Sequence, residues 1–196
     1  MSALRCVQEQ HGNGGEMLTL VIGGSGSGKS EYAQMLACRE PGKRYYIATM
    51  QPYDEEMLRK IKRHQDMRKE KGFTSIECYR KLSALKLDEV QTILLECMSN
   101  LLANEMYSQE ERPDGEILKE ILDGTEHIRK KCQNCIIVSN DIFSSGEQYE
   151  EETLHYMKLL GKINQELAAR ADQVVEVVCG IPKRHKQPLM RKEFVI

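Results

Sequence analysis

An α/β fold with a mainly parallel sheet flanked by helices follows from three features of the sequence. The apolar run Leu18-Thr19-Leu20-Val21-Ile22 enters a glycine turn, Gly23-Gly24-Ser25-Gly26-Ser27-Gly28, that closes on Lys29-Ser30. Further apolar runs recur at Tyr45-Tyr46-Ile47-Ala48, Thr92-Ile93-Leu94-Leu95-Glu96, Ile136-Ile137-Val138 and Val174-Val175-Glu176-Val177-Val178. Segments of helical periodicity separate several of them, which is the alternation of a parallel sheet with ligands at the carboxyl ends of its strands. The 196 residues, 40% hydrophobic and 30% charged, suit one well-cored globular domain.

The first strand, turn and helix form a complete phosphate-binding loop. Small and apolar side chains at Ala33, Leu36 and Ala37 mark the helix after Ser30. A buried strand feeding a glycine loop presents free N–H groups, together with the positive helix end, to a polyphosphate. In that pattern Lys29 neutralises the β and γ phosphates and Ser30 holds Mg²⁺. A simple glycine turn does not need Gly, Lys and Ser at all of these positions.

Before this strand, residues 1–16 are polar and aperiodic and read as a flexible N-terminal tail. After it, Glu40-Pro41-Gly42 ends the first helix, and residues 45–48 form a second strand. Asp54 is placed to cap a helix running from Glu55 and Glu56 through Met57, Leu58 and Ile61 to Lys71, with Gly72 as its stop. Steps of four put Lys60, His64 and Arg68 on one stripe of it. Residues 92–96 form a buried strand ending in Glu96, which reads as the Walker-B acid that orients the Mg²⁺ shell or the attacking hydroxyl. A helix over 114–131 leads to a strand over 136–140 that again ends at an acid, Asp141. Residues 143–152 read as a solvated acidic loop, 153–171 as a helix and 174–178 as a last strand. The expected domain spans 17–182, followed by a basic C-terminal tail, 183–196.

A formal net charge of −2 offers no basic field for nucleic acid, so the expected anionic partner is a small nucleotide. Seven cysteines without a secretory signal read as reduced thiols and predict a cytoplasmic protein. Cys132-Gln133-Asn134-Cys135 has metal or redox spacing but no second ligand pair, and reads as buried thiols. No apolar stretch reaches the ~20 residues of a membrane span.

The loop leaves the fate of the γ phosphate open. The chain has no guanine-specifying Asn-Lys-x-Asp pattern, which leaves a small-molecule kinase as the leading class and a non-catalytic nucleotide-responsive subunit as the other. His64 raises a second chemistry. A neutral imidazole can attack an α phosphate and carry the nucleotide as a phosphoramidate, and Lys60, Arg63 and Arg68 favour the neutral form by like-charge repulsion. Spacing alone leaves His64 open between a nucleophile and an ordinary surface histidine.

In these residues the chain resembles the bifunctional adenosylcobinamide kinase and adenosylcobinamide-phosphate guanylyltransferase family of cobalamin biosynthesis. The resemblance is carried by Gly23 to Ser30, Tyr46-Ile47-Ala48-Thr49, Asp54-Glu55-Glu56-Met57, Ile61-Lys62-Arg63-His64-Gln65-Asp66-Met67-Arg68 and Leu94-Leu95-Glu96-Cys97. Asn104, Val138-Ser139-Asn140-Asp141, Gly161-Lys162-Ile163-Asn164-Gln165 and Val178-Cys179-Gly180 extend it. It implies a RecA-like P-loop fold, a homotrimer and two reactions. ATP or GTP phosphorylates the aminopropanol hydroxyl of adenosylcobinamide, and GMP then passes from GTP to that phosphate through a guanylylated histidine, at the position of His64. The expected catalytic residues are His64, Lys29 and Glu96. The expected nucleotide-binding set is Gly23, Gly24, Ser25, Gly26, Ser27, Gly28, Lys29, Ser30, Glu77 and Glu96, with Mg²⁺ at Ser30 and Glu96, partly through water. The chain departs from the family pattern at Gly26, often arginine, at 141–148, usually Glu-Val-Gly-x-Gly-Ile-Val-Pro, and at Leu154, usually arginine.

Overall fold

In the computed structural model, β1 (Met17–Gly23) is the strand that delivers the glycine loop, and α1 (Lys29–Ala37) follows it. The structure describes residues 17–52, 55–110, 112–142 and 149–187. The expected N-terminal tail, the Asp54 cap, positions 143–148 and everything beyond 187 lie outside them. The remaining elements are β2 (Arg44–Ala48), α2 (Glu55–Glu70), β3 (Phe73–Glu77), β4 (Val90–Glu96), α3 (Met98–Met106), α4 (Asp114–Arg129), β5 (Cys132–Asn140), α5 (Glu151–Arg170), β6 (Gln173–Val178) and β7 (Ile181–Lys186).

They build one seven-stranded sheet in the order β3-β2-β4-β5-β1-β6-β7. Every pairing is parallel except β6 with β7. The central strands read as continuous apolar runs because both sheet faces are covered. On one face Val21, Leu94, Ile136, Val138, Val175 and Val177 pack with Ala33 and Ala37 of α1, whose small side chains let the helix lie close. On the other, Leu20, Ile93, Leu95 and Ile137 pack against Leu101, Ile121, Leu160 and Ile163 of α3, α4 and α5. Alternation along β4 therefore sends Leu94, and with it Glu96, to the α1 side.

Sequence reading leaves out β3, α3 and β7. Of β3, Phe73 alone is buried, since this strand is a sheet edge and carries a half-polar face. The expected tail boundary after 182 needs correction, because β7 continues the sheet to Lys186. All six of its side chains are exposed and it is held by backbone pairing to β6, so no apolar pattern announces it. The Cys132 and Cys135 thiols are buried in β5. A hydrogen bond that it donates to Cys132, together with burial, holds the Cys135 thiol well above its ordinary range. The described cysteines are all free. No helix among the described residues is long and apolar enough to cross a membrane.

Candidate active site

The site lies along the carboxyl edge of the sheet, and the glycine loop is its base. A Cβ at Gly23 would sit 2.6 Å from both Ser27 Oγ and the Val177 carbonyl oxygen, so only glycine lets the loop turn this close to β6. Gly28 adopts φ +87° as it enters α1, the left-handed region that disfavours side chains. The turn between β6 and β7 braces the loop, with the Gly180 N–H donating to the Ser27 carbonyl at 2.8 Å. Ser27 Oγ is buried with no hydrogen-bond partner among the described residues. Lys29 Nζ folds back to donate to the Gly24 carbonyl at 3.0 Å, placing its charge over the loop that would receive phosphate.

Glu96 ends β4 two strands from β1, and α1 spans the gap. Its carboxylate accepts from Ser30 Oγ on one oxygen and from the Tyr46 hydroxyl, at 2.8 Å, on the other. Burial, and then the charge of Glu96, push the Tyr46 phenol far above its ordinary range and keep it a neutral donor. The Thr49 N–H donates to the Glu96 carbonyl at 3.1 Å, fixing the backbone that carries the acid. Ser30 and Glu96 thus offer adjacent hydroxyl and carboxylate oxygens, a donor set for a hard divalent cation that keeps water and phosphate in the rest of its shell. Among the described residues no cluster of three or more His, Cys, Asp or Glu forms a closed metal cage.

Helix α2 walls the other side of a cavity of about 160 Å³ lined by Tyr46, Met50, Ile61, Arg68, Glu77 and Glu96. Arg68 is only 7% exposed, and its guanidinium lies 3.7 Å from the Tyr46 ring centroid. Its Nε has no hydrogen-bond partner among the described residues, which leaves a buried cation facing a cavity. Glu77 closes β3 on the same face and is held from two directions, by Gln65 Nε2 and the Tyr79 hydroxyl, both at 2.6 Å.

The structure therefore brings together Gly23 to Ser30, Glu96 and Glu77, the loop and the acids expected from the sequence. His64 lies in α2, three positions after Ile61 and four before Arg68, both of which line the cavity. Its side chain, like those of Lys60 and Arg63, lies outside what the structure describes. Asp141 reaches the loop through its backbone, with its N–H donating to the Gly23 carbonyl at 3.0 Å. Sequence reasoning missed the parts played by Tyr46, Gln65 and Tyr79. For Tyr46 a signal exists, because two-residue alternation aligns it with Ala48 and, across the β2–β4 register, with Leu94, two positions before Glu96. Gln65 and Tyr79 meet Glu77 only in the folded chain.

A family model described as cobinamide kinase / cobinamide phosphate guanyltransferase matches residues 19–184. The bifunctional adenosylcobalamin biosynthesis protein CobU of Salmonella typhimurium is 33% identical over 178 residues, which cover 84% of this chain and 97% of that protein. The bifunctional adenosylcobalamin biosynthesis protein CobP of Pseudomonas aeruginosa is 31% identical over 170 residues, covering 85% and 95%. Among solved structures, flagellar accessory protein FlaH from Methanocaldococcus jannaschii superposes with a TM-score of 0.50 at 14% identity, over 88% of this chain and 79% of that one. That likeness is one of fold, and the sheet and loop are those of a RecA-like P-loop protein.

Proposed function

The chain belongs to the cobinamide kinase / cobinamide phosphate guanyltransferase family, and from that premise we propose how its residues divide two consecutive transfers on one sheet edge. In the first, the aminopropanol hydroxyl of adenosylcobinamide attacks the γ phosphorus of ATP or GTP and releases its proton to solvent. The O–P bond forms as the bond to the leaving nucleoside diphosphate breaks. Lys29 leaves the Gly24 carbonyl for the β and γ oxygens, and the loop N–H groups hold the chain of phosphates in line. Ser30 and Glu96 would hold Mg²⁺, Glu96 partly through water, and the cation when bound neutralises charge on the β and γ oxygens. Tyr46 keeps the Glu96 carboxylate turned toward Ser30.

In the second transfer, a neutral ring nitrogen of His64 attacks the α phosphorus of GTP, forming a P–N bond and releasing pyrophosphate. A phosphate oxygen of adenosylcobinamide phosphate then attacks the same phosphorus, the P–N bond breaks, and the histidine is regenerated. Arg68, buried one turn away, supplies positive charge to this step. Glu77 is a nucleotide contact on the same face. The site works in a cytoplasmic homotrimer in this reading.

The single observation that carries the reading is the convergence of the loop and α2 on one set of contacts, Ser30 and Tyr46 on Glu96 with Arg68 stacked on Tyr46. The departure at 141–148 favours one alternative, a kinase without guanylyl transfer. Incubation with Mg²⁺ and GTP labelled on the α phosphate decides between them. Acid-labile label on the wild type and none on His64→Ala supports the bifunctional reading. Absence of label on a protein that phosphorylates cobinamide supports the kinase alone.

A further inference from the structure

Asn104 belongs to the stretch shared with the family and takes no part in the site described above, yet it is buried, 8% exposed, in the last turn of α3. Both hydrogens of its side-chain amide are used across strand ends. Nδ2 donates to the Thr49 carbonyl at 2.8 Å and to the Tyr79 carbonyl at 3.0 Å. Thr49 is fully buried and is itself a clamp on the Walker-B strand. Its hydroxyl accepts from the Cys97 N–H at 2.7 Å and donates to the Cys97 carbonyl at 2.8 Å, while its own N–H reaches the Glu96 carbonyl. On the other branch, Tyr79 holds Glu77 through its hydroxyl. One amide therefore touches the backbone of two segments, one that fixes Glu96 and one that fixes Glu77.

We propose that Asn104 is a positioning residue common to both transfers, setting through Thr49 the place of Glu96 and through Tyr79 the place of Glu77. The inference rests on the roles given above to those two acids. A buried amide with both donors satisfied by main-chain carbonyls is rigid, and its loss strands two acceptors rather than one. The neighbouring residue gives a structural control. Glu105, 1% exposed, accepts from the Lys81 N–H at 2.6 Å and pairs with Arg112, so it ties down the same 79–81 segment without reaching Thr49.

The test compares Asn104→Leu, Thr49→Val, Thr49→Ser and Glu105→Gln with the wild type. The readouts are kcat and KM for cobinamide phosphorylation, the rate of GMP attachment to His64, and thermal midpoint. Asn104→Leu is expected to lower both rates about tenfold with nucleotide KM within about twofold. Thr49→Val, which removes only the hydroxyl, is expected to slow phosphorylation by a similar factor and leave GMP attachment within about twofold, and Thr49→Ser to restore it. Glu105→Gln is expected to lower the midpoint as much as Asn104→Leu and leave both rates near wild type. Wild-type rates in Asn104→Leu with only a lowered midpoint would overturn the proposal. So would equal loss in the two Thr49 variants, or equal loss in Glu105→Gln. A wild type that forms no GMP adduct would instead refute the guanylyl half of the proposed function before any variant is made, and the phosphorylation rates would still decide the branch to Glu96.

Discussion

Replacing Tyr46 with phenylalanine isolates one contact at the centre of the site. The ring stays, and with it the stacking under Arg68 at 3.7 Å and the edge-on contact with Phe73 at 6.1 Å. Only the hydroxyl that donates to Glu96 at 2.8 Å is lost. A hydrogen bond to a charged group contributes about 1.5–3 kcal/mol. If orientation of Glu96 matters most when the γ phosphate is in flight, that range corresponds to about ten- to a hundredfold in rate. The lower end is expected, because Ser30 still holds the other carboxylate oxygen. The assay is steady-state phosphorylation of cobinamide across a magnesium titration, run beside a thermal melt. The expected result is kcat reduced about tenfold, a higher magnesium requirement and a midpoint within a few degrees of wild type, since about 1 kcal/mol moves a chain of this size by ~2–4 °C. A kcat within about twofold of wild type in a folded variant would refute the idea that Tyr46 orients the acid.

Three further outcomes follow from the same contacts. Lys29→Ala is expected to abolish phosphoryl transfer and keep the wild-type circular dichroism spectrum, because its visible partner is a single loop carbonyl; turnover at the wild-type rate would remove Lys29 from the site. Gly28→Ala combines a left-handed φ of +87° with a Cβ 3.1 Å from Gly180 Cα, whereas Gly26→Ala meets only the strain of φ +68° in open space. Calorimetry with MgATP should therefore show Gly28→Ala weakening nucleotide binding more than Gly26→Ala, and the reverse order would contradict the packing of the β6–β7 turn on the loop. The Cys78 thiol is pushed up from 9.0 to about 11, chiefly by burial and then by Glu105. The folded chain holds this proton more tightly than the unfolded one, so the contribution to stability is complete below about pH 9 and is lost as pH rises through about 11. Thermal midpoints between pH 8 and 11 should fall less steeply in Cys78→Ala than in wild type, and parallel curves would dispute the burial of that thiol.

Much of the candidate site was legible because it depends on local order. Gly23 to Ser30 are one contiguous segment that runs from the end of β1 through the glycine turn into α1, and Glu96 follows an apolar run that reads as a buried strand. The edges were less readable. In β3 and β7 the backbone ladder does the holding, so side chains there carry little periodic signal. The partners of the acids were unreadable for a different reason. Tyr46 and Glu96 are 50 positions apart and meet because β2 and β4 are neighbours, a pairing that no local pattern specifies. Asn104 shows the same limit, since a polar residue within an apolar helix looks like a surface position until the Thr49 and Tyr79 carbonyls are seen against it.

The measurement closest to the central claim, that one sheet edge supports both transfers in sequence, follows the corrinoid itself. Adenosylcobinamide is incubated with magnesium and GTP, and the products of wild type and His64→Ala are separated by chromatography and mass. Wild type is expected to yield the GDP derivative of cobinamide, and His64→Ala to stop at cobinamide phosphate with its rate of phosphorylation preserved. Formation of the GDP derivative by His64→Ala at the wild-type rate would contradict the account.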